Sequence, residues 1–304
     1  MTHIILPTLN AAKVWNELAP ALLACVSAEQ VLIIDSQSTD GTVNLALAAG
    51  FRVHTIGREE FNHGGTRQRA AEMLPDSEIL VYMTQDAILA SPTAISQLVT
   101  ALDDPSVAAA YGRQLPRPGA GPIESHARFF NYPPISQTRN LGTRDQIGIK
   151  SIFISNSFAA YRRSSLMKVG GFPKDLIFGE DTLTAAKLLM GGEKIAYAAD
   201  ALVYHSHSYT WTQEFRRYFD IGVLHHRERH LLREFGNTRG EGKRFVVSEI
   251  RYLLRTSPIH IPSALMRTGL KLLGYRLGGT EALLPSALKT HLSMHERFRT
   301  KPAS

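Results

Sequence analysis

The sequence predicts an α/β protein, built on a doubly wound, mostly parallel sheet with a helical C-terminal extension. Three observations predict it. Over the first two thirds, short apolar runs that read as buried strands alternate with helical stretches at about βαβ spacing. The run Ile79 to Met83 ends directly in Thr84-Gln85-Asp86, and ligands of an open α/β sheet bind just beyond the carboxyl ends of its strands. The last third reads as helices and carries all of the excess positive charge.

The elements follow in order. His3 to Pro7 is a first short strand, Thr8-Leu9-Asn10 a turn, and Ala11 to Val26 a helix. Val31 to Ile34 is a second buried strand that ends in Asp35-Ser-Gln-Ser-Thr-Asp-Gly41. Thr42 to Ala49 is a helix, with Gly50 as a natural stop. Phe51 to Ile56 is the third strand, and Gly64-Gly65 opens a helix that runs to about Leu74. Ile79 to Met83, too short for a helix, is a strand of the parallel sheet. Ser91-Pro92 starts the next helix, with Ser91 as N-cap. Ser151 to Tyr161 alternates as a strand lining a cleft, and Ala201 to His207 is a final strand. Trp211 to Phe235 is helical, as are Arg244 to Thr256 and Ser263 to Tyr275, and Phe235 to Lys243 is the polar, glycine-rich break between them. The expected division is a catalytic domain over 1–209 and a basic helical region over 210–304.

The chain has 304 residues and 44% hydrophobic content, enough for one large domain with a smaller one appended. A single cysteine, Cys25, excludes an internal disulfide framework and points to a reducing compartment. Its apolar neighbours mark it as a packed thiol rather than a nucleophile. No N-terminal signal peptide and no run of about 18 apolar residues is expected to carry the chain into or across a bilayer. From His205 onward there are 17 Lys and Arg against 8 Asp and Glu. The first 204 residues hold 17 against 19. Such a basic segment favours an anionic membrane surface or nucleic acid. Nothing in it matches a nucleic-acid recognition module, so no nucleic-acid partner is expected.

A carboxylate placed like Asp86 can cap the following helix or hold a hard cation such as Mg²⁺ against a phosphate. The helix start at Ser91-Pro92 argues for the second. Asp35 ends the second strand, where it can accept from a base N–H or a ribose hydroxyl, or serve as an ordinary turn residue. Asp40 is an N-cap for the helix at Thr42. In Asn62-His-Gly-Gly-Thr-Arg-Gln68 the glycines allow close backbone approach, and a helix N-terminus favours anions. Arg67, on its first turn, is a phosphate or base contact, whereas Arg69 is solvated.

Pro7-Thr-Leu-Asn, Asp35-Ser-Gln-Ser-Thr-Asp-Gly-Thr42, Asn62-His-Gly-Gly-Thr-Arg-Gln68 and Thr84-Gln-Asp-Ala87, in that order, resemble a family 2 glycosyltransferase. The likeness covers about Ile4 to Tyr209, and the second pair of motifs points to the bacterial rhamnosyltransferases of surface-polysaccharide assembly. The resemblance implies a GT-A nucleotide-sugar domain and an inverting transfer, with dTDP-L-rhamnose as donor and a saccharide or lipid-linked saccharide as acceptor. A UDP- or GDP-sugar is the alternative donor. It implies that Pro7, Asp35, Asp40 and Arg67 serve the nucleotide, and that Asp86 is the metal-binding member of a DxD-type pair. Gln85 stands in the other acidic position. That removes one negative charge, so Mg²⁺ or Mn²⁺ binding is expected to be weak, and leaves an amide able to bond a ribose or sugar hydroxyl.

Phe178-Gly-Glu-Asp-Thr resembles the family's Glu-Asp motif, with Asp181 as general base and Glu180 on the acceptor side. One carboxylate within reach of the attacking hydroxyl suffices for that chemistry. His205 and His207, two residues apart on a strand, face one side, either as metal ligands beside Asp86 or as diphosphate contacts. A lipid-linked acceptor implies a cytoplasmic protein, peripheral at the inner face of the membrane through its basic helices. The rival readings are a nucleotidyltransferase, whose basic phosphate loop is missing near Lys13, and a nucleic-acid-binding protein.

Overall fold

The computed structural model describes residues 1–236 and 240–295. Its strands are β1 (Thr2–Thr8), β2 (Val31–Asp35), β3 (Arg52–Thr55), β4 (Ile79–Met83), β5 (Ile88–Leu89), β6 (Val107–Leu115), β7 (Gln137–Arg139), β8 (Phe158–Arg162) and β9 (Lys194–Tyr204). They form one sheet in the order β3-β2-β1-β4-β8-β6-β9-β5, with β7 also on β9. β3, β2, β1 and β4 are mutually parallel, as are β6 and β9. β8 runs antiparallel to both β4 and β6. The sheet is therefore mixed and mostly parallel.

The helices are α1 (Trp15–Leu23), α2 (Thr42–Ala48), α3 (His63–Glu72), α4 (Ala94–Thr100), α5 (Pro122–Asn131), α6 (Arg144–Ile147), α7 (Arg163–Lys168) and α8 (Glu180–Met190), then α9 (Trp211–Arg227), α10 (Arg229–Arg233), α11 (Glu241–Thr256), α12 (Ile261–Gly278) and α13 (Ser286–Leu292). The strand runs are apolar throughout because each face of the sheet meets a separate core. Ile4, Leu6, Ile33 and Val81 pack with Leu18 and Leu22 of α1 and Leu98 of α4. Their neighbours Ile5, Leu32, Ile34 and Leu80 pack on the other face with Ala70 of α3 and Leu188 of α8. Leu224, Leu232 and Phe235 join that second cluster, so helices beyond residue 209 share a core with the sheet.

β1 is the strand at which the winding reverses, with β2 and β3 on one side and β4 on the other. A crevice opens there beyond the strand ends. Pairing of β1 with β4 stops at Ile5 and Tyr82, whereas pairing with β2 continues to Thr8 and Asp35. Thr8 turns its carbonyl to the Ser36 N–H, so Pro7 faces the β4 side past the last rung. Its missing N–H leaves no broken ladder bond there.

Three expectations are corrected. The helix expected from Pro92 begins at Ala94, with Thr93 at its N-cap; Ser91 instead closes a turn to the Ala94 N–H. Only Phe158 to Tyr161 of the expected Ser151–Tyr161 strand joins the sheet, because Asn156 turns its side chain to Glu180 and Tyr161. The last strand begins at Lys194 and stops at Tyr204, so His205 and His207 lie in the segment after it. Residues 237–239, inside the expected Phe235–Lys243 break, lie outside the described residues.

α9 and α12 cross with their backbones in contact. A Cβ at Gly274 would fall 2.4 Å from the Phe215 carbonyl oxygen, and at Gly278 2.0 Å from that of Phe219. Gly222 mirrors them from α9, where a Cβ would fall 2.2 Å from the Tyr275 carbonyl oxygen.

Candidate active site

The crevice between β1 and β4 is tied across by one side chain. Gln85 accepts from the Leu9 N–H at 2.7 Å and donates to the Leu9 carbonyl at 3.0 Å. An aspartate in this position could make the first bond and not the second, because an ionised carboxylate only accepts. The departure from a two-acid motif thus has a local cause: the amide pins the two crevice loops together. The tie uses one N–H and one lone pair of the amide, and its second N–H stays available to a ribose or sugar hydroxyl.

Asp35 is fully buried. Its Oδ2 accepts from Thr8 Oγ1 at 2.9 Å and from Ser38 Oγ, and its Oδ1 accepts from the Ser38 N–H at 2.8 Å. Asp40 accepts from the Ala12 N–H at 2.9 Å and from the N–H and hydroxyl of Thr42. Asn10 and Gln37 take positive φ values of 52° and 58°, so both loops bend sharply here. Both acids thus bond the loops that follow β1 and β2.

Asp86 meets both histidines. Its Oδ2 lies 3.3 Å from His205 Nε2 and 3.7 Å from His207 Nδ1. One atom from each of the three fits within 4.8 Å of the others. His205 Nδ1 sits 2.9 Å from Gln114 Oε1, an obligate acceptor, so the ring hydrogen belongs on Nδ1. Nε2 then faces the carboxylate either as a second N–H, in which case His205 is charged and pairs with Asp86, or as a lone pair with a cation between the two. Burial acts to raise the Asp86 carboxyl, but His205 and His207 pull it well below the usual range. Burial, then the His205 charge, push His207 down to about 4, the neutral form that ligates metals. One carboxylate and two imidazoles, one of them oriented from behind by Gln114, suit a divalent ion.

At the start of α8, Gly179 holds φ 82°, and a Cβ there would meet Leu224 at 2.4 Å. The next two residues have opposite surroundings. Glu180 is buried and receives Arg67 at 2.8 Å and the Asn156 amide at 3.1 Å. Burial works to raise its carboxyl, and the Arg67 and His63 charges turn the balance to a lowered value. Asp181 accepts from the Thr182 N–H at 2.7 Å and the Asn156 N–H at 3.2 Å. Burial and then the Glu180 charge raise it to about 6.

Arg67 therefore answers Glu180 across the fold. The glycine it follows has a packing role too, since a Cβ at Gly64 would sit 1.9 Å from the Pro173 carbonyl oxygen. Asn62 caps α3 by accepting from the Gly65 N–H at 2.8 Å. The cap uses one N–H of this helix start, and the Pro173 carbonyl crowds it at Gly64, while His63 and Arg67 line the cavity.

A cavity of about 710 Å³ joins these groups, within the usual range for small-molecule sites. Arg67, Glu180, Asp181, His205 and His207 line it, whereas Pro7, Asp35, Asp40, Gln85 and Asp86 lie outside its wall. Several of its residues carry no sequence signal. Asn156 links Glu180, Asp181 and Tyr161 from the segment before β8, whose alternating pattern suggests a strand and not a site. His295 comes from beyond α13, stacks on Phe178 with ring centroids 6.1 Å apart, and meets His63 edge-on at 5.4 Å.

Residues 3–170 match the Glycosyl transferase family 2 profile. The O-antigen chain rhamnosyltransferase RfbN of Salmonella typhimurium is 43% identical over 97% of this chain and 95% of its own length. WbaN of Salmonella anatum, also an O-antigen chain rhamnosyltransferase, is 44% identical over 97% of this chain and 94% of its own length. Among solved structures, the mannosyltransferase PcManGT from Pyrobaculum calidifontis, in complex with GDP-Man and Mn²⁺, superposes with a TM-score of 0.55 at 19% identity, over 96% of this chain and 83% of that one. TarS of S. aureus in complex with UDP-GlcNAc superposes at 0.56 and 15% identity, over 92% of this chain and 91% of that one. These two share the GT-A-like fold. With the profile and two near-full-length relatives in agreement, the chain belongs to glycosyltransferase family 2 and is a glycosyltransferase.

Proposed function

We propose that the chain transfers L-rhamnose from dTDP-L-rhamnose to a hydroxyl of a saccharide, free or lipid-linked, during O-antigen or polysaccharide assembly. The choice of rhamnose rests on 43% and 44% identity to O-antigen chain rhamnosyltransferases. The observation that carries the chemistry is Asp181, a carboxyl raised to about 6 on the wall of the cavity that the two histidines also line.

In this reading Asp181 takes the proton of the acceptor hydroxyl. The acceptor oxygen attacks the anomeric carbon from the side opposite the diphosphate. The bond from that carbon to the diphosphate oxygen breaks, and the nucleoside diphosphate leaves with the electron pair, so configuration inverts. Glu180, kept ionised by Arg67, holds Asn156 and the acceptor side of the wall. Asp35, Asp40 and Gln85 keep the nucleotide crevice in shape, with Pro7 on its β1 edge. Arg128 and Arg217 on the cavity wall offset the charge of the diphosphate. Asp86, His205 and His207 would hold a divalent cation, which supplies further neutralisation of the leaving group. Imidazole donors favour a transition ion such as Mn²⁺ over Mg²⁺, which prefers oxygen.

Calorimetry with dTDP, UDP, GDP and CDP, with Mn²⁺, Mg²⁺ or neither, tests the reading. The expected result is selective dTDP binding, strengthened more by Mn²⁺ than by Mg²⁺. Preference for UDP or GDP keeps the transferase and replaces the donor. No nucleoside diphosphate binding would sink it.

A further inference from the structure

The 710 Å³ cavity continues past Asp181 into an arm between α5, α9, α11 and α12. Glu249 of α11 lines this arm and is itself 1% exposed. Its Oε1 has no hydrogen-bond partner among the described residues. A buried carboxylate oxygen without a partner is costly, so it marks a position a ligand donor can fill. Burial raises the Glu249 carboxyl, partly offset by Lys271 and Arg267.

The surroundings say what kind of donor. Glu214 accepts from Arg267 at 3.2 Å and pairs with Lys271 at 3.5 Å. At the Glu249 end of the arm, Arg267 and Lys271 are matched by Glu214 and Glu249, so this end carries no surplus cation to hold an anion. Lys271 covers the rings of Tyr218 and Phe245 at 5.5 and 5.2 Å, which removes the open apolar face a lipid chain would want. A neutral ligand rich in hydroxyls satisfies the remaining groups. We propose that Glu249 is an acceptor-recognition residue, whose free oxygen receives a hydroxyl of the acceptor saccharide while Asp181 faces the hydroxyl that reacts.

This inference rests on the glycosyltransferase reading of the cavity, and the experiment separates the two. Wild-type enzyme is given dTDP-L-rhamnose and alkyl glycosides of galactose, glucose, mannose and N-acetylglucosamine, with release of nucleoside diphosphate as readout. Failure to consume donor with every glycoside counts against the donor and reaction proposed above, and the inference falls with them. With the best glycoside, Glu249→Leu is expected to raise the acceptor KM about tenfold or more, the worth of a hydrogen bond to a charged group. The dTDP affinity and acceptor-free donor hydrolysis stay unchanged. Glu249→Gln, which keeps a carbonyl oxygen, retains most of the affinity.

Single-deoxy versions of that glycoside then identify the partner. One of them loses affinity for the wild type and loses nothing further in Glu249→Leu. KM does not depend on how much of a variant folds, so reduced yield leaves the comparison intact. An unchanged acceptor KM, a parallel loss of donor affinity, or equal deoxy penalties in both enzymes would each overturn the assignment.

Discussion

Glu180 and Asp181 are adjacent carboxyls held to different protonation, one by a guanidinium at 2.8 Å and the other by burial beside a fixed negative charge. A base works in its ionised form, and Asp181 ionises with rising pH through about 6. The expected kcat/KM is therefore level above that pH and falls about tenfold per unit below it. Asp181→Asn, which keeps the shape and loses the base, is expected to lower kcat about 10²- to 10⁴-fold with dTDP affinity retained. Steady-state kinetics across pH 4.5 to 8 check both; a folded Asn variant with normal turnover refutes the base. The sequence shows the acid pair because it sits at a helix start after Gly179. It hides the partner, since Arg67 is 113 positions away and its local setting, a glycine-opened helix, suggests a phosphate contact instead.

Gln85 makes the same point at the level of elements. It joins the ends of β1 and β4 by two bonds to the backbone of one residue, Leu9. Gln85→Glu keeps the size and removes the donor, so two acceptors face each other across the crevice. The expected cost is about 0.5–1.5 kcal/mol of stability, the net worth of one solvent-accessible bond, with weaker dTDP binding. Thermal melting and calorimetry together check it, and an unchanged Tm with unchanged affinity would show the tie to be idle. The parallel strands were legible because continuous apolar runs imply burial on both faces, as Ile4 to Leu6 and Val31 to Ile34 show. The reversal of β8 was not, because composition does not encode strand direction. A stretch such as Ser155-Asn156-Ser157 looks strand-like until Asn156 is drawn to Glu180.

For the molecule as a whole, much of the basic excess is consumed internally. Arg227 and Lys289 pair with Glu281, and Arg267 and Lys271 with Glu214. What remains outside is mixed in character. Leu265, Met266, Leu272 and Leu273 of α12 are about half exposed, on one stripe with exposed Arg276, while Arg251 and Arg255 flank Leu254 on α11. No helix among the described residues is long and apolar enough to cross a membrane. Peripheral attachment through these helices, as proposed for a lipid-linked acceptor, predicts flotation with anionic vesicles at low salt and release at high salt. Arg251→Glu with Arg255→Glu is expected to abolish flotation, and no binding at low salt would exclude attachment.

The glycine crossing of α9 and α12 has a further effect. With carbonyls already where side chains would stand at Gly222, Gly274 and Gly278, the two helices have no spacer to compress. They pack as one unit along the arm that Glu249 lines. The spacing of these two walls is therefore set by backbone against backbone, and selectivity in the arm is expected to respond to changes in its lining rather than in its width.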